Sequence, residues 1–204
     1  SQVNGLHDYG YAVAVDSSGN AFVTGSVTGG IDGNSFAGIN KPDTFIVKYN
    51  SSGTKQWTKQ VGEGAYNTGN DITTDSSGNA YVTGYTRGTI DGLTNQGGVD
   101  MFLMKYNSSG TRQWSRMLGS SEDNYGNGVA LDSSNNIYVT GYTEDGLDGN
   151  SSAGEGDIFL VKYNSSGTKQ WTRQHGTSAN DYGKKIAIDA KGYIYIVADG
   201  YGGI

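Results

Sequence analysis

The chain has 204 residues, with 34 Gly, one Pro, no Cys, 15 Tyr and a formal charge of -6. The missing cysteines exclude disulfides and thiolate metal sites, and 14 Lys and Arg against 20 Asp and Glu argue against a nucleic-acid or anionic-lipid footprint. No apolar run approaches the ~20 residues that span a bilayer as a helix. Gly-rich, Tyr-rich composition with 34% hydrophobic residues fits a turn-rich all-β protein. Alternating Tyr, Trp, Val and Ile between the Gly clusters separate it from low-complexity disorder.

In chain order, the first unit presents a strand ending at Asp16, the turn DSSGN, a second strand, a long Gly and Asp-rich loop, and a third strand running from Asp43 into YNSSGTKQW at Tyr49 to Trp57. That last segment returns 57 residues on as YNSSGTRQW at Tyr106 to Trp114, and again as YNSSGTKQW at Tyr163 to Trp171. Asp75, Asp132 and Asp189 keep the same 57-residue spacing; Asp16 to Asp75 is 59, because the first unit carries two extra residues near Ile39 to Pro42. One structural unit is therefore repeated along a single continuous array. Its units cover about 10–62, 69–119 and 126–176, with a partial fourth at 183–204 that lacks its own YNSSGT turn.

Four strands, A to D, are predicted in each unit; in the second they run roughly from Asp71 to Thr74, Ala80 to Tyr85, Met101 to Tyr106 and Arg112 to Leu118. The DSSGN and NSSG connections are of hairpin length, so consecutive strands are antiparallel neighbours. In strand C, Phe102, Met104 and Tyr106 take one face and Met101, Leu103 and Lys105 the other. A sheet apolar on both sides is a sheet packed between two others. The predicted fold is all-β, a β-propeller of four-stranded antiparallel blades with about 3.5 blades present and the ring incomplete. A β-solenoid is the rival, but its strands need no hairpin turns.

The turn and Trp of this unit resemble the tryptophan-docking motif of quinoprotein propellers, with Gly53, Gly110 and Gly167 at the motif's Gly and Trp57, Trp114 and Trp171 at its Trp. The resemblance implies a Trp set between blades and carries no quinone with it, since the motif's Asp and Ala are replaced. The whole unit, VALDSSNNIYVTGYT followed by GDIFLVKYNSSGTKQWTRQHG, resembles the bacterial β-propeller repeat family. That resemblance implies a secreted or cell-surface setting and no catalytic residue. The expectation is a fragment of a longer propeller chain, or a chain whose ring is completed by self-association.

Recognition is expected on the rim formed by the B-to-C and D-to-A loops, which are long and differ between units, with a protein or glycan partner. Each B-to-C loop holds an Asp-Gly pair at Asp32, Asp91 and Asp148, followed by the strand-opening Asp43, Asp100 and Asp157. Hard cations take oxygen ligands from tight loops, so these six residues are the candidate ligands of calcium, the one cofactor considered. A plain Asx or β-turn role competes, since no DxDxDG spacing is present. Tyr49, Tyr106 and Tyr163, with Tyr81, Tyr138 and Tyr195, read as packing between blades rather than a sugar-stacking surface. His7 and His175 fall in D-to-A loops without metal-ligand spacing. Glu63, Glu122, Asp123, Glu144, Asp145 and Glu155 break the repeat but show no pairing of the glycosidase kind. The expected function is a non-enzymatic scaffold or binding module; a structural protomer of a surface assembly and a glycan-active propeller enzyme are the alternatives.

Overall fold

The computed structural model describes residues 7–36 and 41–201 and contains, among them, fourteen strands and no helix. The inserted segment of the first unit lies partly outside the described residues. Strands β1 (Tyr9–Val15), β2 (Ala21–Val27), β3 (Asp43–Tyr49) and β4 (Lys55–Val61) form the first blade. Strands β5 (Asn67–Thr74), β6 (Ala80–Thr86), β7 (Asp100–Tyr106) and β8 (Arg112–Leu118) form the second. The third holds β9 (Asn124–Leu131), β10 (Ile137–Thr143), β11 (Asp157–Tyr163) and β12 (Lys169–His175), and β13 (Asp181–Ile188) with β14 (Ile194–Gly200) begins a fourth. Each of the three complete sheets is an antiparallel meander in sequence order. The sheets are β-propeller blades, and among the described residues they do not close into a ring.

The turns explain the pairing. In DSSGN, one carboxylate oxygen of Asp75 accepts from the backbone amides of Ser77 and Asn79, both at 3.0 Å, while the other takes the Asn79 side chain at 2.7 Å and the Tyr81 hydroxyl at 3.0 Å. Gly78 follows at φ 73°, a left-handed conformation that Asn135 adopts at the same place in the third blade. The C-to-D turn uses Asn107 in the same way, accepting from Ser109 and Thr111.

Strand C sits between two cores. Phe102, Met104 and Tyr106 pack with Phe22, Ile46 and Ile72 at the junction of the first two blades. Met101 and Leu103 pack with Val129, Val139 and Phe159 at the next. The Trp residues seal the outer side of these junctions. Trp57 donates its indole N–H to Ser108 O at 3.2 Å and lies against Tyr106, with ring centroids 6.5 Å apart. Trp114 lies in the same way over the Gly167 turn of the third blade.

Strand A begins earlier than the sequence implies. In the second blade it starts at Asn67 rather than Asp71, because Asn67, Thr68 and Gly69 pair with Thr86, Tyr85 and Gly84 across a register shift between Gly69 and Asp71. A β-bulge leaves one residue unpaired and turns the strand. The same shift occurs between Gly10 and Ala12, beside Gly141 in the third blade, and between Gly183 and Lys185. The unpaired residues are Tyr11, Asn70, Asn127 and Lys184.

Candidate functional site

The four bulge residues converge. Tyr11, Asn70, Asn127 and Lys184, with Tyr85, Tyr125, Tyr142 and Lys185, line an open concavity of about 420 Å³. The A strands pack side by side from blade to blade, so these unpaired positions face one another along the inner edge of the array. Asn70 donates to Gly126 O at 3.0 Å and to Asn127 Oδ1 at 3.2 Å, and Asn127 donates to Gly183 O at 2.9 Å. Each amide thus ties its own bulge to the bulge of the next blade.

A string of tyrosines rises from this floor. Tyr85 meets Tyr125 edge-on at 4.9 Å, Tyr125 stacks on Tyr142 at 4.7 Å, and Tyr142 meets Tyr182 edge-on at 4.5 Å. The string therefore crosses three blades. Its members stand at the start of strand A or the end of strand B, on the rim of the long, variable loops. Glycine makes the arrangement possible: a Cβ at Gly141 would lie 1.7 Å from Tyr125 O, and one at Gly84 would lie 1.8 Å from Thr68 O. Only a residue without a side chain admits the bulged carbonyl there. A neighbouring concavity of about 370 Å³ is lined by Tyr66, Tyr85, Arg87 and Tyr125.

The electrostatics of this rim are uneven. Burial, then the Asp123 carboxylate that accepts the Tyr125 hydroxyl at 2.8 Å, pushes Tyr125 up to about 12. Burial also raises Tyr142 and Tyr182. The Glu144 carboxyl is raised, by burial first and then by the charges of Asp123 and Glu122. Lys184 balances the other side, its ammonium 4.9 Å from the Tyr182 ring centre and 3.4 Å from Asp199.

The aspartates expected as cation ligands fall into two groups. Asp32, Asp91 and Asp148 occupy left-handed turns at φ 51°, 56° and 56°, followed by glycines that are also left-handed. Each carboxylate turns back onto strand D of its own blade: Asp32 pairs with Lys55 and Thr58, Asp91 with Arg112 and Ser115, and Asp148 with Lys169 and Thr172. Protein cations therefore already engage their oxygens. The Lys55 ammonium holds Asp32 below the usual carboxylate range. Asp43, Asp100 and Asp157 instead open β3, β7 and β11 in full burial. Among the described residues no three His, Cys, Asp or Glu side chains gather as a metal-holding group.

The remaining sequence candidates scatter. His7 stacks on Tyr9, and His175 ends β12 exposed. Glu63 accepts from Thr89 and from the Asp91 amide, and Glu155 accepts from the Asn180 side chain. Tyr81, Tyr106 and Tyr163 are buried in the blade cores. The tyrosine string and the bulge residues were not among the sequence candidates. The signal available for them is the Tyr of TGYT in two units and the Tyr of the D-to-A loops ending DNYG and NDYG.

Fold and site together define a β-propeller segment with a variable, aromatic rim. The beta-propeller repeat family matches residues 4–36, 56–90, 113–147 and 170–204, and the chain belongs to that family. The second, third and fourth matches each span a strand D and the A and B strands after it. Among curated proteins, it is similar to an uncharacterized WD repeat-containing protein of Acanthamoeba polyphaga mimivirus, 29% identical over 231 residues, covering 83% of this chain and 17% of that protein. It is also similar to the regulatory protein FlaEY of Caulobacter vibrioides, 24% identical over 179 residues, covering 76% of this chain and 19% of that protein. The chain thus spans less than a fifth of either relative's length. A crystal structure of a protein of unknown function from Bacteroides caccae matches in fold, with a TM-score of 0.50 and 11% identity over 95% of this chain and 54% of that one. Among the described residues no helix is long and apolar enough to cross a membrane.

Proposed function

We propose that this chain is a non-enzymatic binding or scaffold module that takes a protein or glycan partner on the rim of its B-to-C and D-to-A loops, in a secreted or cell-surface setting. The observation that carries this reading is the tyrosine string. Tyr85, Tyr125, Tyr142 and Tyr182 cross three blades on the rim whose loops differ, whereas the opposite rim repeats DSSGN and NSSG turns almost unchanged. Aromatic residues on a rigid scaffold supply large contact area at small entropic cost. Membership in the repeat family and similarity to WD-repeat and regulatory proteins support a binding or scaffold role. Continuation of the array by further blades, in the same chain or a second copy, belongs to the same proposal. It is supported by the exposed Val13 and Val15 of β1 and Tyr195 and Val197 of β14.

Glycan arrays and display-selected peptides, screened with the wild type and with Tyr125→Ala and Tyr142→Ala, test the reading. A bound class should lose at least tenfold in affinity in both variants; retention of full affinity would overturn the assignment of the rim. One observation favours a second reading, a glycan-active enzyme: Glu144, with its raised carboxyl, lies beside Asp123 and Glu122 at the same rim. Turnover of a bound glycan that Glu144→Gln abolishes without loss of binding would establish it.

A further inference from the structure

Independently of that reading, we propose that the junction between the third and fourth blades holds a hard divalent cation of the calcium class, bound between Asp157 and Asp181. Gly156 and Asn180 form a parallel bridge, and the Asp181 amide donates to Gly156 O at 2.7 Å. Asp157 and Asp181 are the next residues along these two strands, so their backbones stand side by side where the third and fourth blades meet. Both are buried, at 0% and 1% exposure. One oxygen of each is satisfied: Asp157 Oδ2 accepts from Gln174 Nε2 at 2.7 Å and Ala153 N at 2.8 Å, and Asp181 Oδ2 from Thr177 N at 2.6 Å and Thr177 Oγ1 at 2.9 Å. Asp157 Oδ1 and Asp181 Oδ1 have no hydrogen-bond partner. Among the described residues no Lys, Arg or His forms an ion pair with either carboxylate.

The earlier junctions show what is different here. The place of Asp181 is held by Asn67 and Asn124 in the preceding units. At the second junction Asn124 donates its amide to Val99 O and Glu122 O and accepts from Thr143 Oγ1 at 2.7 Å, so its polar atoms are satisfied. At the third, the counterparts are Gly156, Ala179 and Gly200. The two backbone carbonyls are kept, the hydroxyl of Thr143 has no counterpart at Gly200 while that of Ser120 is kept as Thr177, and the amide N–H groups are replaced by a carboxylate oxygen. Two buried carboxylates with no protein cation beside them among the described residues leave the junction short of positive charge. Isolated buried charge is strongly disfavoured, and hard cations take carboxylate and carbonyl oxygens. The cation would stand where the Asn amide protons stand in the other junctions.

The test uses the whole chain after EDTA treatment. Calcium titrated calorimetrically should bind once per chain and raise the melting temperature by several degrees. Terbium should show luminescence sensitised through Tyr182, the neighbour of Asp181. Asp181→Asn restores the residue of the other junctions, so it should stay folded by circular dichroism and lose at least tenfold in affinity. Asp157→Asn should do the same, and Asp100→Asn, at the second junction, should bind as wild type. No heat and no terbium signal would overturn the site, as would equal binding by Asp181→Asn. Stability that ignores calcium and instead rises on mild acidification would show that a shared proton balances the pair, and would overturn it too.

Discussion

The Trp57 indole lies so close over Gly110 of the next blade that a Cβ at Gly110 would stand 2.8 Å from Trp57 Cδ2. Gly53 is its counterpart in the first blade, left-handed to the same degree at φ 78° against 80°, yet a Cβ there would meet nothing within 4 Å. The pair separates two costs that usually arrive together. Ala at either position bears the backbone penalty of a positive φ, about 1 to 2 kcal/mol. Only at Gly110 does it also displace the indole, adding about 1 to 3 kcal/mol of overpacking. Urea denaturation should therefore find Gly110→Ala less stable than Gly53→Ala by that second amount. Equal losses would mean that the Trp–Gly contact contributes nothing beyond backbone strain.

Ile72 and Val13 occupy the same place in strand A of successive blades, but Ile72 is 4% exposed and Val13 65%. Ile72→Ala is expected to cost about 2 to 5 kcal/mol, the range for a large-to-small change in a packed core. Val13→Ala is expected to stay within about 0.5 kcal/mol. Chemical denaturation of the two variants compares them directly. A large loss at Val13 would mean that its face is covered in solution.

The turn aspartates make the array sensitive to acid. Burial by itself would raise Asp75, but hydrogen bonds from Asn79, Tyr81 and Ser77 outweigh it and hold the carboxyl below its usual range; Asp16 and Asp132 behave alike. A lowered folded value contributes stability that is present above the unfolded value of about 4 and is lost as pH falls through the folded one. Melting temperature should therefore drop below about pH 4, with a shallower slope in Asp75→Asn. Asp100 has the opposite sign, raised by burial and only partly offset by the Gln96 amide. Its ionised form costs stability at neutral pH, so Asp100→Asn should be neutral or stabilising there.

At the alkaline end, burial pushes Tyr106 and Tyr125 up to about 12 from the usual 10.0. Raised folded values mean that the unfolded chain releases these protons first, so stability is complete below about pH 10 and is lost as pH rises toward 12. At the phenolate band, the part of the absorbance rise that belongs to Tyr106 and Tyr125 should appear only together with loss of tertiary structure. A single titration near pH 10 with the fold intact would contradict this assignment.

Some of this architecture is written locally and some is not. The Asx turns at Asp75 and Asn107 and the two apolar faces of strand C depend on residues within one unit, and repetition displays them again and again along the chain. The early start of β5 at Asn67 and the unpaired Asn70 depend on where strand B forces strand A out of register, which no local pattern records. The concavity lined by Tyr11, Asn70, Asn127 and Lys184 is legible only after the bulges are known, since these residues look like ordinary alternation in the sequence. The string of Tyr85, Tyr125 and Tyr142 draws its members from three strands, β6, β9 and β10, of two units. Of the tyrosines that recur between units, Tyr81, Tyr106, Tyr138 and Tyr163 are core as repetition implies, while Tyr195 on β14 is exposed because no further sheet covers that face among the described residues.

Asp71 and Lys185 join the second blade to the fourth across the inner edge, at 2.7 Å, while Asp71 also accepts from the Val129 amide of the third at 2.9 Å. Gly128 holds the equivalent position between them, and a Cβ there would stand 3.1 Å from Lys185 Cα. The glycine keeps the path open. Lys185 is half exposed, so the ion pair itself is worth no more than about 1 kcal/mol and weakens in salt. The bond from the Val129 amide to a largely buried carboxylate is worth more, about 1.5 to 3 kcal/mol. Asp71→Ala should then cost more than Lys185→Met, and their double-mutant cycle should give a coupling under about 1 kcal/mol that shrinks at 1 M NaCl. Amide exchange should locate the larger part of the loss, with Val129 losing protection in Asp71→Ala and keeping it in Lys185→Met. If both variants deprotect Val129 equally, the lysine is what holds the carboxylate in place, and the ordering of the two contributions is reversed.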